Sequence, residues 1–456
     1  MKVGVFGFGE IYRRYASLLP KEQSVVVVID NGVVGHREMV DGIAHINPRE
    51  VFLYDIDLVI LMSDSATEMR EQLEGMGYDM SKVIHYRDYF GGLEQKREMY
   101  LANESEVQDK KSLLIISNAL GFHGAPVTVL GMVKCAREME YRVSVVASSG
   151  DQAFIDELNL AGASVIIQPW IEHASWDNLK WTNEYDDIIV NSLPVIICAL
   201  TISMHRRTIV WLHESPDTYI SLRFWWDNIQ RGIEVGDIGL YAVSRRATEN
   251  FRRFFNYSKD ITILLPYVNE WNNKGKPAKT DVVIFAVIGS IIEQKGQRIL
   301  LEAIHSLSIK QNIKFVFIGK ENDSLNSKRI VDNISNESCC EYVGEMTREE
   351  MSNLYQDIDV VIVPSLEETL SLAAVEAMMM EKVCIVSDHC GIAEYITNGE
   401  NGFVFPLNEN KALVKAIEWC VANKEKFMEI GKRARMTYED NFSLKVFRDS
   451  FKEILE

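Results

Sequence analysis

The sequence predicts an α/β protein in which parallel sheets carry helices on both faces. Short apolar strands alternate with polar or glycine-rich loops and amphipathic helices from one end of the chain to the other. The strands are apolar along their whole length, which is typical of strands covered on both faces. Eleven such strands are predicted, at residues 3–6, 25–29, 58–62, 113–117, 143–147, 188–190, 208–212, 282–288, 314–318, 360–363 and 383–386.

A recurring unit of a tyrosine, an acidic turn and a central strand predicts three Rossmann-like domains. It occurs at residues 54–63, 185–192 and 355–365. Two copies contain an Asp-x-Asp pair, Asp55 with Asp57 and Asp357 with Asp359, which resembles a metal-binding motif. Ligands of open α/β sheets bind beyond the carboxyl ends of strands, whereas these pairs precede a strand. We therefore interpret them as turn residues.

Two polar stretches predict the domain boundaries. Residues 94–111 are charged and weakly periodic, and residues 269–280 contain almost nothing apolar after Trp271. The predicted domains are residues 1–105, 106–272 and 273–440, followed by a helix over 441–456 that crosses back to the second domain. Two doubly wound domains joined by a short linker form a cleft between the carboxyl ends of their strands, where ligands bind.

The charge balance and the cysteines exclude several classes of function. The 456 residues include 48 Lys and Arg against 66 Asp and Glu, and the formal charge of −18 argues against a nucleic-acid binder. An anionic ligand must therefore meet a local positive site. The seven cysteines form no Cys-x-x-Cys pair, which favours reduced thiols in a cytoplasmic protein without zinc.

No apolar run reaches the ~18 residues of a membrane span, and the amino-terminal residues read as a buried strand rather than a signal peptide. The aromatic and basic stretch 223–226 leaves two interpretations open. It can contact the inner face of a membrane, or it can be core on one side and solvated on the other.

Two glutamates after a buried strand are the strongest candidates for a ligand site. Glu368 lies in the loop after the strand at 360–363, and Glu376 lies in a helix that begins near Ser371. We expect their carboxylates about 8 to 12 Å apart, given the helical rise of 1.5 Å per residue. That spacing suits two hydroxyl-bearing parts of one extended ligand, with phosphate at the helix start. The alternative is that Glu368 and Glu376 are exposed to solvent and bind no ligand.

This stretch is similar to the Glu-x7-Glu signature of glycosyltransferase family 4, which comprises retaining enzymes, and the resemblance covers about residues 112–440. It implies a GT-B architecture, with two Rossmann-like domains facing a cleft, here preceded by a small third one. It assigns Glu368 to the donor sugar and Glu376 to the ribose of the nucleotide. The family's Gly-Phe-Gly is replaced by Thr369, Leu370 and Ser371, so the sugar pocket differs.

A lysine at the start of another helix predicts a diphosphate site. Lys295 precedes a helix with apolar residues at 299, 300, 303, 304 and 307. A cation there is unfavourable by about 0.3 to 1 kcal/mol unless an anion binds. The segment is similar to the family's Gly-Arg-x4-Lys-Gly motif, with Ser290 in place of the arginine and Arg298 as a candidate substitute. A solvated lysine at a turn is the alternative.

Two segments of the second domain complete the candidate site. Gly121, His123 and Gly124 form a loop of small residues after a strand, and it resembles the family's glycine-rich loop near the reaction centre on the acceptor side. His213 follows another strand and matches the histidine that faces the donor sugar in the family. A structural histidine at a strand end remains the alternative.

The first domain contributes no recognisable catalytic set. Gly7 and Gly9 begin a dinucleotide-type loop, but Tyr12 stands where the third glycine is wanted. Asp30 follows Gly9 by 21 residues, a spacing that suits a ribose hydroxyl. We expect a binding or scaffolding role for this domain.

The resemblance implies a retaining glycosyltransferase that uses a nucleoside diphosphate sugar, UDP-linked, without metal or cofactor. The resemblance makes Lys295, Glu368 and His213 the catalytic residues, and the acceptor a lipid-linked glycan, a polysaccharide or a protein. A non-catalytic GT-B partner subunit, favoured by Ser290, and a nicotinamide-dependent oxidoreductase are the alternatives.

Overall fold

The chain forms three sheets in a computed structural model. The model describes residues 1–20, 24–33, 38–40, 42–102, 111–122, 124–268, 270–271, 281–308, 311–322 and 324–455. All eleven predicted strands are present, each within one residue of its predicted bounds. Among the described helices, none has both the length and the apolar character that crossing a bilayer requires.

The first sheet comes from the amino-terminal part of the chain. Its strands are β1 (Lys2–Phe6), β2 (Ser24–Ile29), β3 (Glu38–Val40), β4 (Ile43–Ile46), β5 (Leu58–Leu61) and β6 (Val83–His85). Its helices are α1 (Glu10–Tyr15), α2 (Ala66–Gly75) and α3 (Tyr86–Gly92). The strand order is β3-β4-β2-β1-β5-β6, and β3 alone in this order runs antiparallel to its neighbour.

The second sheet is the largest. Its strands are β7 (Glu98–Tyr100), β8 (Ser112–Ser117), β9 (Arg142–Ala147), β10 (Ala163–Ile167), β11 (Asp187–Asn191), β12 (Thr208–Leu212), β13 (Ile238–Ala242) and β14 (Thr262–Ile263). Its helices are α4 (Pro126–Glu138), α5 (Gln152–Leu160), α6 (Trp176–Leu179), α7 (Ile196–Ser203), α8 (Pro216–Ser221), α9 (Trp226–Val235) and α10 (Arg245–Phe254). The order is β14-β13-β12-β11-β8-β9-β10-β7.

Strand β7 corrects the predicted first boundary. A boundary at 105 places residues 98–100 in the first domain, whereas β7 pairs antiparallel with β10 of the second sheet. The short strand lacks the apolar run that marks the eleven predicted strands, so the sequence does not reveal this pairing. The boundary position itself, 105/106, lies outside the described residues.

The third sheet follows the predicted linker, and the predicted boundary 272/273 also lies outside the described residues. The strands are β15 (Val283–Ile288), β16 (Ile313–Ile318), β17 (Cys340–Gly344), β18 (Val360–Val363), β19 (Val383–Ser387) and β20 (Phe403–Phe405), in the order β17-β16-β15-β18-β19-β20. The helices are α11 (Gln297–His305), α12 (Leu325–Asn336), α13 (Arg348–Asp357), α14 (Leu372–Met379), α15 (Asn410–Ala422), α16 (Phe427–Asn441) and α17 (Leu444–Leu455).

The final helix packs on the second domain. The Phe447 ring of α17 stacks on Trp211 of β12 with centroids 5.8 Å apart, and Arg448 pairs with Glu138 of α4 at 3.2 Å. Trp211 is fully buried, and one continuous apolar core includes residues of both the second and the third sheets. This shared core fixes the two sheets relative to each other.

The Asp-x-Asp pairs brace strands, as the turn interpretation predicts. Asp57 Oδ2 accepts from the backbone N of Lys2 at 2.7 Å, and Asp359 Oδ2 accepts from Ile284 N at 2.9 Å and from Lys424 Nζ at 3.1 Å. Among the described residues there is no group of three or more His, Cys, Asp or Glu side chains that could hold a metal ion.

The first domain is fixed to the second through Asp88 of α3. Its Oδ2 accepts from Trp225 Nε1 at 2.7 Å, and its Oδ1 lies 2.8 Å from His173 Nδ1. The backbones approach so closely that a side-chain carbon on Gly91 would lie 2.0 Å from the carbonyl oxygen of His173. Arg223 pairs with Glu71 of the first domain at 3.0 Å. The 223–226 stretch is therefore a domain interface, which agrees with the core interpretation.

Asp88→Ala should lower the stability of the protein. Trp225 is 3% exposed, so the change leaves its buried indole N–H without a partner, which costs about 1 to 3 kcal/mol. Thermal unfolding monitored by indole fluorescence measures the effect. Asp177→Ala, which removes an exposed carboxylate paired with Lys180, is the matched control and should leave the midpoint unchanged.

Candidate active site

A cavity of about 1190 Å³ lies between the second and third sheets at the carboxyl ends of their strands. It brings together predicted residues that are far apart in sequence. Those that line it are Gly124, Ser290, Lys295, Glu368, Ser371 and Glu376. Parallel strands place the loops that follow them at one edge of the sheet, and this explains why the candidates of the third domain meet.

Lys295 and Glu368 form an ion pair in this cavity. They follow β15 and β18, which are neighbours in the third sheet. The two loops are also joined directly, because Leu366 N donates to Gln294 O at 2.8 Å. Lys295 lies in a short 3₁₀ turn, Glu293–Lys295, and α11 begins after it, so the lysine precedes the helix rather than occupying its first turn.

Glu376 is held by a residue that the sequence does not single out for this role. The Tyr355 hydroxyl of α13 lies 3.2 Å from Glu376 Oε2 and 3.1 Å from the carbonyl oxygen of Ala373. Tyr355 is fully buried, and its ring contacts Trp271 with centroids 4.9 Å apart. Trp271 also lines the cavity. Only the fold brings α13 against α14, so sequence spacing carries no signal of this contact.

The segment that replaces the family's Gly-Phe-Gly bridges the two domains. Thr369 Oγ1 donates to the carbonyl oxygen of His213 at 2.7 Å, and Ser244 Oγ donates to Thr369 O at 2.5 Å. Leu370 is buried. Ser371 caps α14 and has a φ of +85°, a left-handed conformation that costs a non-glycine residue energy.

His213 belongs to a polar network rather than standing alone. Its Nε2 lies 2.9 Å from Asn191 Oδ1, and Asn191 Nδ2 donates to Ala125 O at 3.0 Å. Because Oδ1 accepts, Nε2 carries the proton. Burial lowers the pKa of His213 to about 3, so the imidazole is neutral at physiological pH.

Glu214, beside His213, is a further buried group that we did not predict. Its Oε2 accepts from His213 N at 2.8 Å, and the residue is 8% exposed. Burial raises the pKa of Glu214 to about 7. A glutamate directly after a strand is an ordinary sequence feature, so its burial could not be read from the chain.

A smaller cavity of about 240 Å³ adjoins the first. It is lined by Ala125, His213, Glu214, Ser215, Thr218, Gln294, Lys295, Glu367, Glu368 and Thr369. Lys295 and Glu368 line both cavities. The two spaces therefore meet at the ion pair.

Some candidates do not contribute as expected. His123 lies outside the described residues, and Gly121 is buried without lining either cavity. Arg298 pairs with Glu293 at 2.9 Å and with Glu302, and it lines neither cavity, so it does not substitute for the missing arginine. Lys320, two residues after the end of β16, lines the larger cavity and supplies a cation that we did not predict.

The Asp30 carboxylate of the first domain is engaged with its own backbone. Its Oδ2 accepts from Phe8 N at 3.3 Å and its Oδ1 from Gly32 N at 2.7 Å. These bonds stabilise the turns after β1 and β2. The ribose role that the spacing suggests, and with it the oxidoreductase alternative, gains no support from this arrangement.

Glu214→Gln should remove a pH dependence of stability. The folded chain holds the proton of Glu214 up to about pH 7, whereas an ordinary glutamate releases it near 4.5. Between pH 4.5 and 7 the unfolded state binds fewer protons at Glu214 than the folded state does. The free energy of unfolding of the wild type therefore falls as the pH rises. The stability of the variant relative to wild type should therefore increase by about 3 kcal/mol from pH 4.5 to above 7.

Chemical denaturation of both proteins at pH 4.5, 5.5, 6.5 and 7.5 measures this difference. His213 has the opposite dependence, but both proteins carry it and it cancels. Glu400→Gln changes an exposed glutamate, and its free energy of unfolding should vary with pH in the same way as that of wild type. A Glu214→Gln curve that also runs parallel would contradict the shifted pKa.

Comparison with known proteins finds family models that match the first and third parts of the chain. Residues 269–437 match the family of glycosyl transferases group 1. Residues 1–84 match a family described as C2185-like, N-terminal. Lipopolysaccharide 1,2-N-acetylglucosaminetransferase of Salmonella typhimurium is 27% identical over 220 residues, which are 46% of this chain and 52% of that protein.

The capsular polysaccharide biosynthesis glycosyltransferase CapM of Staphylococcus aureus is 22% identical over 182 residues, or 39% of this chain and 47% of CapM. The chain spans about half the length of the curated relatives it matches. Among solved structures, Anabaena HepE in complex with UDP and glucose has a TM-score of 0.64 at 17% identity, covering 76% of this chain and 99% of HepE.

Sucrose-phosphate synthase of Thermosynechococcus elongatus has a TM-score of 0.62 at 15% identity, covering 76% of this chain and 98% of that enzyme. These likenesses confirm the predicted α/β fold with GT-B architecture. The first sheet is additional to the two that face the cleft.

Proposed function

We propose that this protein transfers a sugar from a nucleoside diphosphate sugar, UDP-linked, to an acceptor hydroxyl with retention at the anomeric carbon. The observation that carries the proposal is the larger cavity, in which Lys295, Glu368 and Glu376 meet between the two sheets. The family match of residues 269–437 and the names of the relatives support the same reaction class. The complex of HepE with UDP and glucose supports UDP as the nucleotide.

The donor diphosphate would bind to Lys295. In a chain of net charge −18, this lysine and Lys320 are the cations that line the larger cavity within the described residues. A diphosphate carries more charge than the single Glu368 carboxylate that now pairs with Lys295, so it can compete for the ammonium group. The released carboxylate is then free to accept hydrogen bonds from the donor sugar.

Glu376 would accept the ribose hydroxyls of the nucleotide. The Tyr355 hydroxyl lies 3.2 Å from one of its carboxylate oxygens and orients the side chain, which lines the cavity. His213 would bound the sugar pocket from the other domain. Because burial keeps the pKa of His213 low, it acts as a neutral hydrogen-bonding group and brings no positive charge to the reacting centre.

The proposed reaction needs no protein nucleophile. The bond from the anomeric carbon to the phosphate oxygen breaks, the bond to the acceptor oxygen forms on the same face, and the departing phosphate oxygen takes the acceptor proton. The protein contributes positioning and charge stabilisation, with Lys295 stabilising the negative charge that grows on the diphosphate. We propose no metal and no cofactor. The acceptor would be a polysaccharide, glycolipid or glycoprotein precursor in the cytoplasm.

Incubation with UDP-, GDP- and ADP-sugars tests the proposal, with slow release of free nucleotide as the readout because it needs no acceptor. We expect release from a UDP-sugar. Lys295→Ala should slow this release by about 10²- to 10³-fold, which corresponds to about 3 to 4 kcal/mol of lost charge stabilisation.

The matched control is Lys314→Ala, which removes an exposed lysine paired with Glu341 on the outside of the third sheet. It should keep the wild-type rate. A Lys295→Ala protein with full turnover would remove Lys295 from the mechanism. Binding of UDP without release from any nucleotide sugar would instead favour the non-catalytic partner subunit.

Tyr355→Phe should weaken UDP binding about fivefold. The variant loses the hydrogen bond that orients Glu376, and the loss of one such bond lowers the binding free energy by about 1 kcal/mol. Isothermal titration calorimetry with UDP measures the change. Tyr395→Phe is the control, since Tyr395 is a half-buried tyrosine of the same domain that lines neither cavity. Equal Kd values for all three proteins would show that Tyr355 does not position Glu376 for the nucleotide.

A further inference from the structure

The larger cavity is acidic apart from two lysines, Lys295 and Lys320. Five carboxylates line it as well, and they belong to Asp151, Glu157, Glu345, Glu368 and Glu376. With all seven groups ionised, the lining carries three more negative than positive charges. A diphosphate brings further negative charge into the same space, so its binding depends on the cations that face the cavity.

The two lysines differ in whether they already have a partner. Lys295 pairs with Glu368. Within the part of the chain that the structure describes, the ammonium group of Lys320 takes part in no hydrogen bond or ion pair, and the side chain is exposed. Lys320 can therefore bind an anion directly, whereas Lys295 must first exchange Glu368 for the ligand.

Lys320 lies beside the loop that carries Ser290. Strands β15 and β16 are parallel neighbours, so the residues that follow them meet at one edge of the sheet. The two segments are also joined beyond the strands, because Ile291 N donates to Lys320 O at 2.9 Å. A side-chain carbon on Gly319 would lie 2.0 Å from Gly289 O and 3.0 Å from Ser290 N. The backbones of the two segments are thus in direct contact at the cavity.

Ser290 leaves this contact without a charge of its own. It lines the cavity and stands where the resemblance places an arginine, but its short hydroxyl side chain is neutral. Lys320 lines the same cavity from the adjoining strand, and its ammonium group is carried on a long, flexible side chain. Because Lys295 follows β15 and Lys320 follows β16, the two cations face the cavity from neighbouring loops.

We propose that Lys320 is a second diphosphate-binding residue, which supplies the positive charge that Ser290 lacks. This rests on the proposed function, in which the larger cavity holds a nucleoside diphosphate sugar. Lys295 and Lys320 would then bind the diphosphate together, each from its own loop. Lys320 holds the group by charge alone and neither gives nor takes a proton, so a nucleoside without phosphates would not depend on it.

Variants at two positions test the proposal. Lys320→Ala removes the charge, and because the side chain is exposed, the change leaves no buried group without a partner. The double variant Ser290→Arg with Lys320→Ala returns a cation from the adjoining loop, at a position that is also exposed. Lys314→Ala is the matched control, because Lys314 is an exposed lysine of the same strand that lines neither cavity.

Calorimetry measures the Kd for UDP and for inorganic pyrophosphate, and saturation-transfer NMR measures the Kd for uridine. Lys320→Ala should weaken binding of UDP and of pyrophosphate about tenfold, because each loses one charge-assisted contact. Its Kd for uridine should equal that of wild type. The double variant should bind UDP within about twofold of wild type, since arginine also makes charge-assisted bonds to phosphate. Lys314→Ala should match wild type for all three ligands.

Three results would overturn the inference. They are a Lys320→Ala protein with the wild-type Kd for UDP, an equal loss of affinity for uridine, and a double variant that binds UDP no better than Lys320→Ala. Failure of wild type to bind UDP would overturn the proposed function instead. In that case a pyrophosphate affinity that is lost in Lys320→Ala and restored in the double variant would still establish Lys320 as a ligand of a diphosphate group, and an unchanged one would overturn both.

Discussion

The close approach of two loops beyond β15 and β18 is the constraint on which the site depends. Gly296 has a φ of +70°, and a side-chain carbon there would lie 1.9 Å from the carbonyl oxygen of Pro364. Only glycine permits both this conformation and this contact. Because Lys295 adjoins Gly296 and Glu368 follows Pro364 by four residues, the approach of the two loops brings the two charged side chains together.

The ion pair gives an acidic protein a site for an anion without an isolated buried charge. Burying one charged side chain without a partner of opposite charge is costly. In this structure Lys295 and Glu368 neutralise each other. Under the proposed function, an incoming diphosphate would replace one carboxylate as the partner of Lys295. The exchange would turn Glu368 from a counterion into a hydrogen-bond acceptor, so that one event both binds the donor and prepares the residue that faces the sugar.

The sequence predicts those features of the structure that are determined by local patterns of residues. Apolar runs locate the eleven predicted strands within one residue, and the segments after β15 and β18 contain Lys295, Glu368 and Glu376, which line the larger cavity. What it does not predict depends on contacts between distant segments. The Tyr355 hydroxyl reaches Glu376 only through helix packing, and β7 joins the second sheet through an antiparallel pairing that no apolar run marks. The burial that shifts the pKa of Glu214 is likewise a tertiary property.

The replacement of a glycine by Thr369 argues against a degraded site. A degraded motif would accumulate side chains without partners, whereas the Thr369 hydroxyl donates to the His213 carbonyl across the cleft and its own carbonyl accepts from Ser244. Arg246 of the second domain also pairs with Glu367. The residues on both sides of Glu368 thus bridge the domains, so the position of this carboxylate depends on contacts with both. Under the proposed function, these contacts would hold Glu368 in place for the donor sugar and help to exclude water from the site.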